Sequence, residues 1–268
     1  MGFGYAVLLG ASAVGSAAGA QTTAATPPGW TVNEGASVCN ASFTASGASE
    51  PALRLFDRAL SDETLLTFTL PAPVDVPYGA PVRLVLQPSG TVLQGQADGF
   101  APGRGPTQTI GLSVKRAQLK AKTVSALRLS SENDMLVDLP VERLAAALTS
   151  LQACQESLLA HAGIARRDYA RIATFARPLT SPRDWFVPES YPAEARRARE
   201  QGRVAGRFRI LKDGTVADCL VLVSSGFPSL DEGTCAVLLA KARYRPARDA
   251  SGQAVVSPQL FAVYWALP

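Results

Sequence analysis

Arg203-Val204-Ala205-Gly206-Arg207-Phe208-Arg209-Ile210-Leu211-Lys212-Asp213-Gly214-Thr215-Val216-Ala217-Asp218-Cys219-Leu220-Val221-Leu222-Val223 is the stretch on which the fold turns. Val204, Phe208 and Ile210 alternate with Arg203, Arg207 and Arg209, the period of a strand with one buried and one basic face. Lys212-Asp213-Gly214 is a hairpin turn, because glycine accepts positive φ without steric cost. The return strand, Thr215 to Val223, is apolar on both faces except at Asp218, and it places Cys219 and Val221 on one side.

Upstream, Pro192 opens a short helix that runs through Glu200 and stops at Gly202. Downstream, Ser224-Ser225-Gly226 halts the second strand. Ser229 with Glu232 three residues later reads as a capping box for a helix reaching Ala242. Leu230, Thr234 and Leu238 form its inner stripe, with Cys235 beside them. Arg243-Tyr244-Arg245-Pro246 leaves that helix, and Asp249 to Gly252 is a turn. The last strand is predicted over Ala254 to Leu267, with Phe261, Val263 and Trp265 on one side. The third strand is expected to add beside the hairpin as an edge, since Pro258 has no N–H to give a ladder. An edge strand offers unpaired backbone groups to a foreign extended chain.

Five pieces stand in order here: Tyr191-Pro192-Ala193-Glu194-Ala195, Lys212-Asp213-Gly214, Ser224-Ser225-Gly226, Leu230-Asp231 and Arg243-Tyr244-Arg245-Pro246-Ala247. Together they resemble the C-terminal domain of the TonB energy-transducer family, over residues 191–268. The resemblance implies two helices packed on a three-stranded antiparallel sheet. It also implies recognition of an extended segment of an outer-membrane transporter by strand pairing along the last strand. On that basis Val255, Val256, Ser257, Gln259, Leu260, Phe261 and Val263 are the expected partner-binding positions, with Arg196 of the first helix beside them. Cys219 and Cys235 look like a disulfide-bearing variant of the family. Family transducers also carry a membrane anchor that couples to an inner-membrane motor complex, followed by a Pro-rich spacer. Here a β-rich region stands in the place of the spacer.

The 268 residues have room for roughly two domains of ~100–150 residues. Hydrophobic residues make up 47% and charged residues 18%, which suits globular cores. The net charge of +4 is concentrated after Tyr191, which favours an acidic partner or anionic surface. Nucleic acid is a poorer reading, because no basic run is interleaved with aromatics. At the front, Tyr5 to Val14 is a short apolar stretch, and Ala18-Gly19-Ala20 is a small-residue cleavage site before Gln21. Residues 1–20 therefore read as a signal peptide and 21–29 as a leader, although no Lys or Arg precedes Arg54. The expected location is the periplasm or cell envelope of a Gram-negative bacterium, or the inner membrane if the segment is kept as an anchor.

Four cysteines fit an oxidising compartment, and the pairing that respects the domains is Cys39–Cys154 and Cys219–Cys235. With one histidine and no CxxC spacing, neither a zinc site nor any other cofactor is expected.

Residues 30–163 read as a β-rich domain of about seven strands closed by one helix. Apolar or alternating runs at 52–56, 65–70, 82–86, 109–114, 125–130 and 135–139 are punctuated by Pro71, Pro73, Pro77, Pro88-Ser89-Gly90 and Pro102-Gly103. The helix is expected to begin at Pro140, with Leu144, Leu148, Leu151 and Leu158 on one stripe and Cys154 among them. His161 falls at its end, where a cation meets the negative pole of the helix. Residues 164–190 read as a Pro-containing linker whose Tyr169, Phe175, Trp185 and Phe186 favour packing on a neighbouring domain.

The fold class is thus α+β, and the first function reading is an exported protein of the TonB family that binds a partner's extended segment in support of transmembrane transport. The alternative is a periplasmic structural or interaction protein of the envelope without energy transduction. A homodimer is left open. An enzyme is disfavoured. One histidine gives little for acid–base work, Ser224-Ser225 lacks the glycines of a nucleophile elbow, and no Gly-rich nucleotide loop is present.

Overall fold

The computed structural model describes residues 27–35, 37–45, 52–71, 76, 77, 79–99, 107–120, 123–132 and 134–267. The expected signal peptide and the turns at Pro73 and Pro102-Gly103 lie outside them. The described residues divide into two units, the rear one beginning at Leu158.

In the front unit ten strands are present where about seven were expected. They are β1 (Trp30–Glu34), β2 (Val38–Phe43), β3 (Leu53–Arg58), β4 (Glu63–Pro71), β5 (Pro81–Gln87), β6 (Thr91–Gln96), β7 (Asp98–Gly99), β8 (Thr107–Lys115), β9 (Ala126–Ser130) and β10 (Met135–Pro140). One antiparallel sheet runs β1-β2-β3-β4-β8-β7 and a second runs β10-β9-β5-β6. Leu53, Leu55, Leu66, Phe68 and Leu112 of the first sheet are buried, as are Leu84, Leu86, Leu127 and Leu129 of the second. The two sheets meet where a Cβ on Gly95 would lie 2.3 Å from Leu112 Cδ1, so a larger residue there would make the Leu112 side chain shift.

A short helix, α1 (Arg116–Lys120), follows β8 and carries a buried ion pair. Arg116 donates from Nε and Nη2 to Asp57 Oδ1 at 2.9 and 2.6 Å, and Thr64 Oγ1 donates to the same oxygen at 2.8 Å. Asp57 is wholly buried. The helix α2 (Leu144–His161) begins four residues later than expected. Pro140 instead ends β10, paired with Ala126, and Arg143 at φ 57° turns the chain into the helix. Cys154 of α2 is bonded to Cys39 of β2. The indole of Trp30 donates to the Glu142 carbonyl at 2.8 Å, a second tie between the ends of this unit.

The rear unit contains α3 (Arg166–Tyr169), β11 (Arg177–Pro178), α4 (Ala193–Ala198), β12 (Gly202–Ile210), β13 (Val216–Val223), α5 (Pro228–Lys241), β14 (Tyr244–Arg245), β15 (Ala247–Arg248), β16 (Ala254–Val255) and β17 (Ser257–Trp265). Its main sheet is antiparallel in the order β13-β12-β17. Residues 164–190 are not a bare spacer. They form α3, β11 and two 3-10 turns, and β11 pairs with β14. Trp185 and Phe186 are buried in the rear core, as the cost of exposing aromatics leads one to expect. That core is aromatic: Trp185, Phe186, Tyr191, Phe208, Tyr244, Phe261 and Trp265 pack with Val204, Ile210, Leu230 and Leu238.

Local details differ from the sequence reading at two helix ends. Arg199, at φ 56°, ends α4 in the left-handed conformation, whereas Gly202 opens β12. Phe227 is the N-cap of α5 and gives no side-chain cap. Ser229, expected in that role, instead donates its hydroxyl to the Glu200 carboxylate. Asp231 ties the start of α5 to the preceding loop, accepting from Ser224 Oγ at 2.6 Å and from Ser225 N and Oγ at 2.9 and 2.8 Å. At the hairpin, a Cβ on Gly214 (φ 86°) would lie 1.9 Å from the Tyr244 carbonyl oxygen, so the turn and the approach both require glycine.

Candidate functional site

The site expected from sequence is the edge of the rear sheet, and its parts are set by β12. Nine consecutive pairs join β12 to β17, from Gly202↔Trp265 to Ile210↔Ser257, without a register shift. In an antiparallel ladder the N–H and C=O of one residue point to the same side, and successive residues alternate. Pro258 has no N–H and lies opposite Arg209, so it occupies an outward position. The alternation then turns the backbone groups of Ser257, Gln259, Phe261, Val263 and Trp265 toward β12. Those of Leu260, Ala262 and Tyr264 point away from the sheet. One of them already meets a side chain: Gln259 Nε2 donates to the Leu260 carbonyl at 3.2 Å.

Side chains follow the other alternation. Phe261, Val263 and Trp265 lie in the rear core with Val204 and Phe208. Trp265 is fixed further by its indole, which donates to Thr234 Oγ1 at 2.8 Å, while Thr234 donates to the Leu230 carbonyl at 2.7 Å. On the opposite face, register places Pro258, Leu260, Ala262 and Tyr264 beside Arg209, Arg207, Ala205 and Arg203. Leu260 is buried, but Tyr264 is 51% exposed. The short helix α3 lies against β17 without pairing with it, and none of its residues is buried.

Among the expected site residues, the structure brings Ser257, Gln259, Leu260, Phe261 and Val263 together on β17. Val255 and Val256 are separated from them. Ala254–Val255 pairs with Ala247–Arg248 across the turn at Asp249, and Val256 joins that small hairpin to β17. The Asp249 carboxylate holds the turn by accepting from Ser251 N and Oγ and from Gln253 N, which keeps it below the usual carboxylate range. Arg196 is exposed on α4. Ala262 and Tyr264 were not among the positions named from sequence. The signal that would have found them is Pro258, which fixes the phase of the alternation.

The Tyr191-Pro192 motif is structural. Tyr191 packs edge-on against Trp265 at 5.0 Å between ring centres, and its hydroxyl donates to the Glu200 carbonyl. Burial, with the Glu200 carboxylate nearby, pushes its phenol up from the ordinary value. Pro192 occupies the space where a Cβ on Gly233 would come within 2.4 Å of its ring, so α4 and α5 are in close contact.

The second disulfide, Cys219–Cys235, bonds β13 to α5. The opposite edge of the sheet, β13, is broken by two irregularities in its pairing with β12 and by Asp218 at φ 53°. Among the described residues, β17 is therefore the longer and more regular of the two edges. No helix among the described residues is long and apolar enough to cross a membrane.

No curated protein matches the chain. Residues 187–267 match the family of the Gram-negative bacterial TonB protein C-terminal, a likeness confined to that domain.

Proposed function

We propose that the rear unit captures an extended segment of a partner protein as an additional strand on β17, and that this serves transport across the Gram-negative envelope. The observation that carries the reading is the set of outward backbone groups at Leu260, Ala262 and Tyr264 on an edge with uninterrupted register. The matched domain supports an outer-membrane transporter as the partner, since the family works by such contacts in the envelope. The apolar stretch and small-residue site at the N-terminus support export. Two disulfides support the periplasm, where such bonds persist.

Recognition here needs little from side chains. Phe261, Val263 and Trp265 are committed to the core and hold β17 in place. The partner meets backbone donors and acceptors, and selectivity falls to the side chains at the ends of the strand, where Tyr264 is exposed. The helix α3, four residues with no buried side chain, is a small obstacle to move aside.

Amide exchange on the full chain tests this reading. Without partner, the amides of Gln259, Phe261 and Val263 are expected to exchange slowly, and those of Leu260, Ala262 and Tyr264 fast. Synthetic peptides from the periplasm-facing segments of outer-membrane transporters should protect the second set and leave the first unchanged. Failure of every such peptide to slow those three amides would remove the strand-capture reading and favour a purely structural role in the envelope.

A further inference from the structure

We propose that Cys219–Cys235 is a reducible couple, opened in the folded protein by a partner of the Cys-x-x-Cys thiol–disulfide oxidoreductase class that docks along β13. This couple is separate from the strand-capture reading and does not depend on it. The two disulfides differ in what surrounds them. In the front bond Cys39 is wholly buried and Cys154 is half-buried. A thiolate that attacks Cys154 must expel Cys39 into a closed apolar core, where a thiolate is poorly stabilised and leaves slowly. In the rear bond both cysteines reach solvent in part. Whichever sulfur is attacked there, the other leaves as a thiolate within reach of water. Exposed disulfides are the labile ones.

The strand that carries Cys219 adds the docking surface. β13 is an edge of the rear sheet, with β12 on one side only. Directly after Cys219, the side chains of Leu220, Leu222 and Val223 are exposed. Apolar side chains clustered outside a core mark a contact surface. On α5, Leu239 stands one turn beyond Cys235 on the same side of the helix and is also exposed. β13 carries no Lys or Arg, and its Asp218 is paired with Arg209. An oxidoreductase thus finds in one place an extended edge, apolar side chains beside it and a sulfur within reach. The bond itself selects this class of partner, since a second copy of the chain or a lipid surface has no use for it.

The exchange proceeds in two displacements. The first cysteine thiolate of the partner attacks Cys219 Sγ, a mixed disulfide forms, and Cys235 leaves as a thiolate that takes a proton. The partner's second cysteine then attacks its own sulfur of the mixed disulfide and releases Cys219 as a thiol. The two electrons and two protons gained by the rear unit come from the partner's dithiol, which ends as a disulfide. Reduction unpins α5 from β13. Thr234, next to Cys235, accepts the Trp265 indole at 2.8 Å, so the helix that is loosened is the one that holds β17.

The test treats the oxidised full chain with thioredoxin as the dithiol probe, quenches with an alkylating reagent and maps the labelled cysteines by mass spectrometry. Cys219 and Cys235 are expected to be labelled about tenfold faster than Cys39 and Cys154. A thioredoxin whose second cysteine is replaced by serine should be trapped on Cys219. The variant L220T/L222T, which keeps strand-favouring residues, should slow reduction by thioredoxin and leave the rate with dithiothreitol unchanged. Amide exchange of Phe261 and Val263 should quicken once the rear bond is open, with the front unit unaltered. Equal labelling of the two bonds, labelling of the front bond first or no labelling of the folded chain would overturn the inference. So would trapping on Cys235, or a loss in L220T/L222T that dithiothreitol shows equally, because the leucines would then act on stability alone. Unchanged exchange of Phe261 and Val263 after reduction would overturn the link to β17. None of these outcomes bears on strand capture, which peptide protection of Leu260, Ala262 and Tyr264 decides.

Discussion

The front and rear units bury their hydrophobic surface in different ways. The front unit stacks two antiparallel sheets of six and four strands around leucine-rich faces. The rear unit has three main strands and fills its core with seven aromatic residues. A small sheet supplies few inward positions, and an aromatic ring covers more area per position than an aliphatic chain. Each unit carries one disulfide from a strand to a helix, but the bonds close very different loops, with separations of 115 and 16 residues. The front bond closes nearly the whole unit, and the rear bond pins one helix beside one strand. The rear unit can therefore leave β17 as an edge because its core and its disulfide hold the sheet from the other side.

The contrast breaks most sharply at the disulfides. In the chain-entropy account, a loop of about 100 residues contributes ~4.7 kcal/mol and one of about 15 residues ~3 kcal/mol. Replacing Cys39 and Cys154 by alanine should lower the stability of the front unit more than the Cys219, Cys235 pair lowers the rear. Guanidinium unfolding checks this, with Trp30 reporting on the front and Trp185 and Trp265 on the rear. One transition shared by all three tryptophans in both variants would mean that the units do not melt separately.

Asp57→Ala comes next. It leaves the Arg116 guanidinium partly buried against a lost carboxylate, at a cost of about 3–5 kcal/mol to the front unit. The rear unit holds no comparable buried ion pair among the described residues, and its transition should stay in place. Smaller again is Trp265→Phe, which keeps an aromatic ring but removes the indole donor to Thr234. A loss of about 1 kcal/mol in the rear transition is expected, together with faster exchange along β17.

The smallest effect is one of pH. Burial works to raise the Asp231 carboxyl, but hydrogen bonds from Ser224 and Ser225 outweigh it and hold the group below its ordinary value. A depressed folded value stabilises the rear unit above the unfolded pKa, near 3.9, and this stability is lost as pH falls through the lower folded value. Asp231→Asn should flatten that part of the rear unit's acid titration, followed by tryptophan emission, and leave the front profile unchanged.

Much of the rear unit was legible because its signals are local. The alternation of Val204, Phe208 and Ile210 with arginines specified β12, and Gly214 specified the turn. The spacing of Leu230, Thr234 and Leu238 specified the buried side of α5. The front was harder. The strands β1, β2, β6 and β7 were missed individually because sequences such as Thr91–Gln96 are mostly polar and half exposed. Pro140 looked like a helix start because proline suits that position, yet it also suits the last residue of a strand. The structure of 164–190 depends on partners far along the chain, such as Tyr244 and Arg245 beside β11, and no local pattern encodes them.

By itself the sequence determined the helix–strand–strand–helix–strand order of the tail, its basic excess and the one proline that cannot join a ladder. These follow from side-chain periodicity and backbone chemistry, which act within a few residues. Only the tertiary structure decided that Val255 and Val256 leave the edge strand and that Leu260, Ala262 and Tyr264 turn their backbone groups outward. It also decided that Arg203 lies beside Tyr264 at the end of that strand. Register between distant strands is set by the shared core that Trp265, Phe261 and Phe208 fill together, and no single segment contains that information.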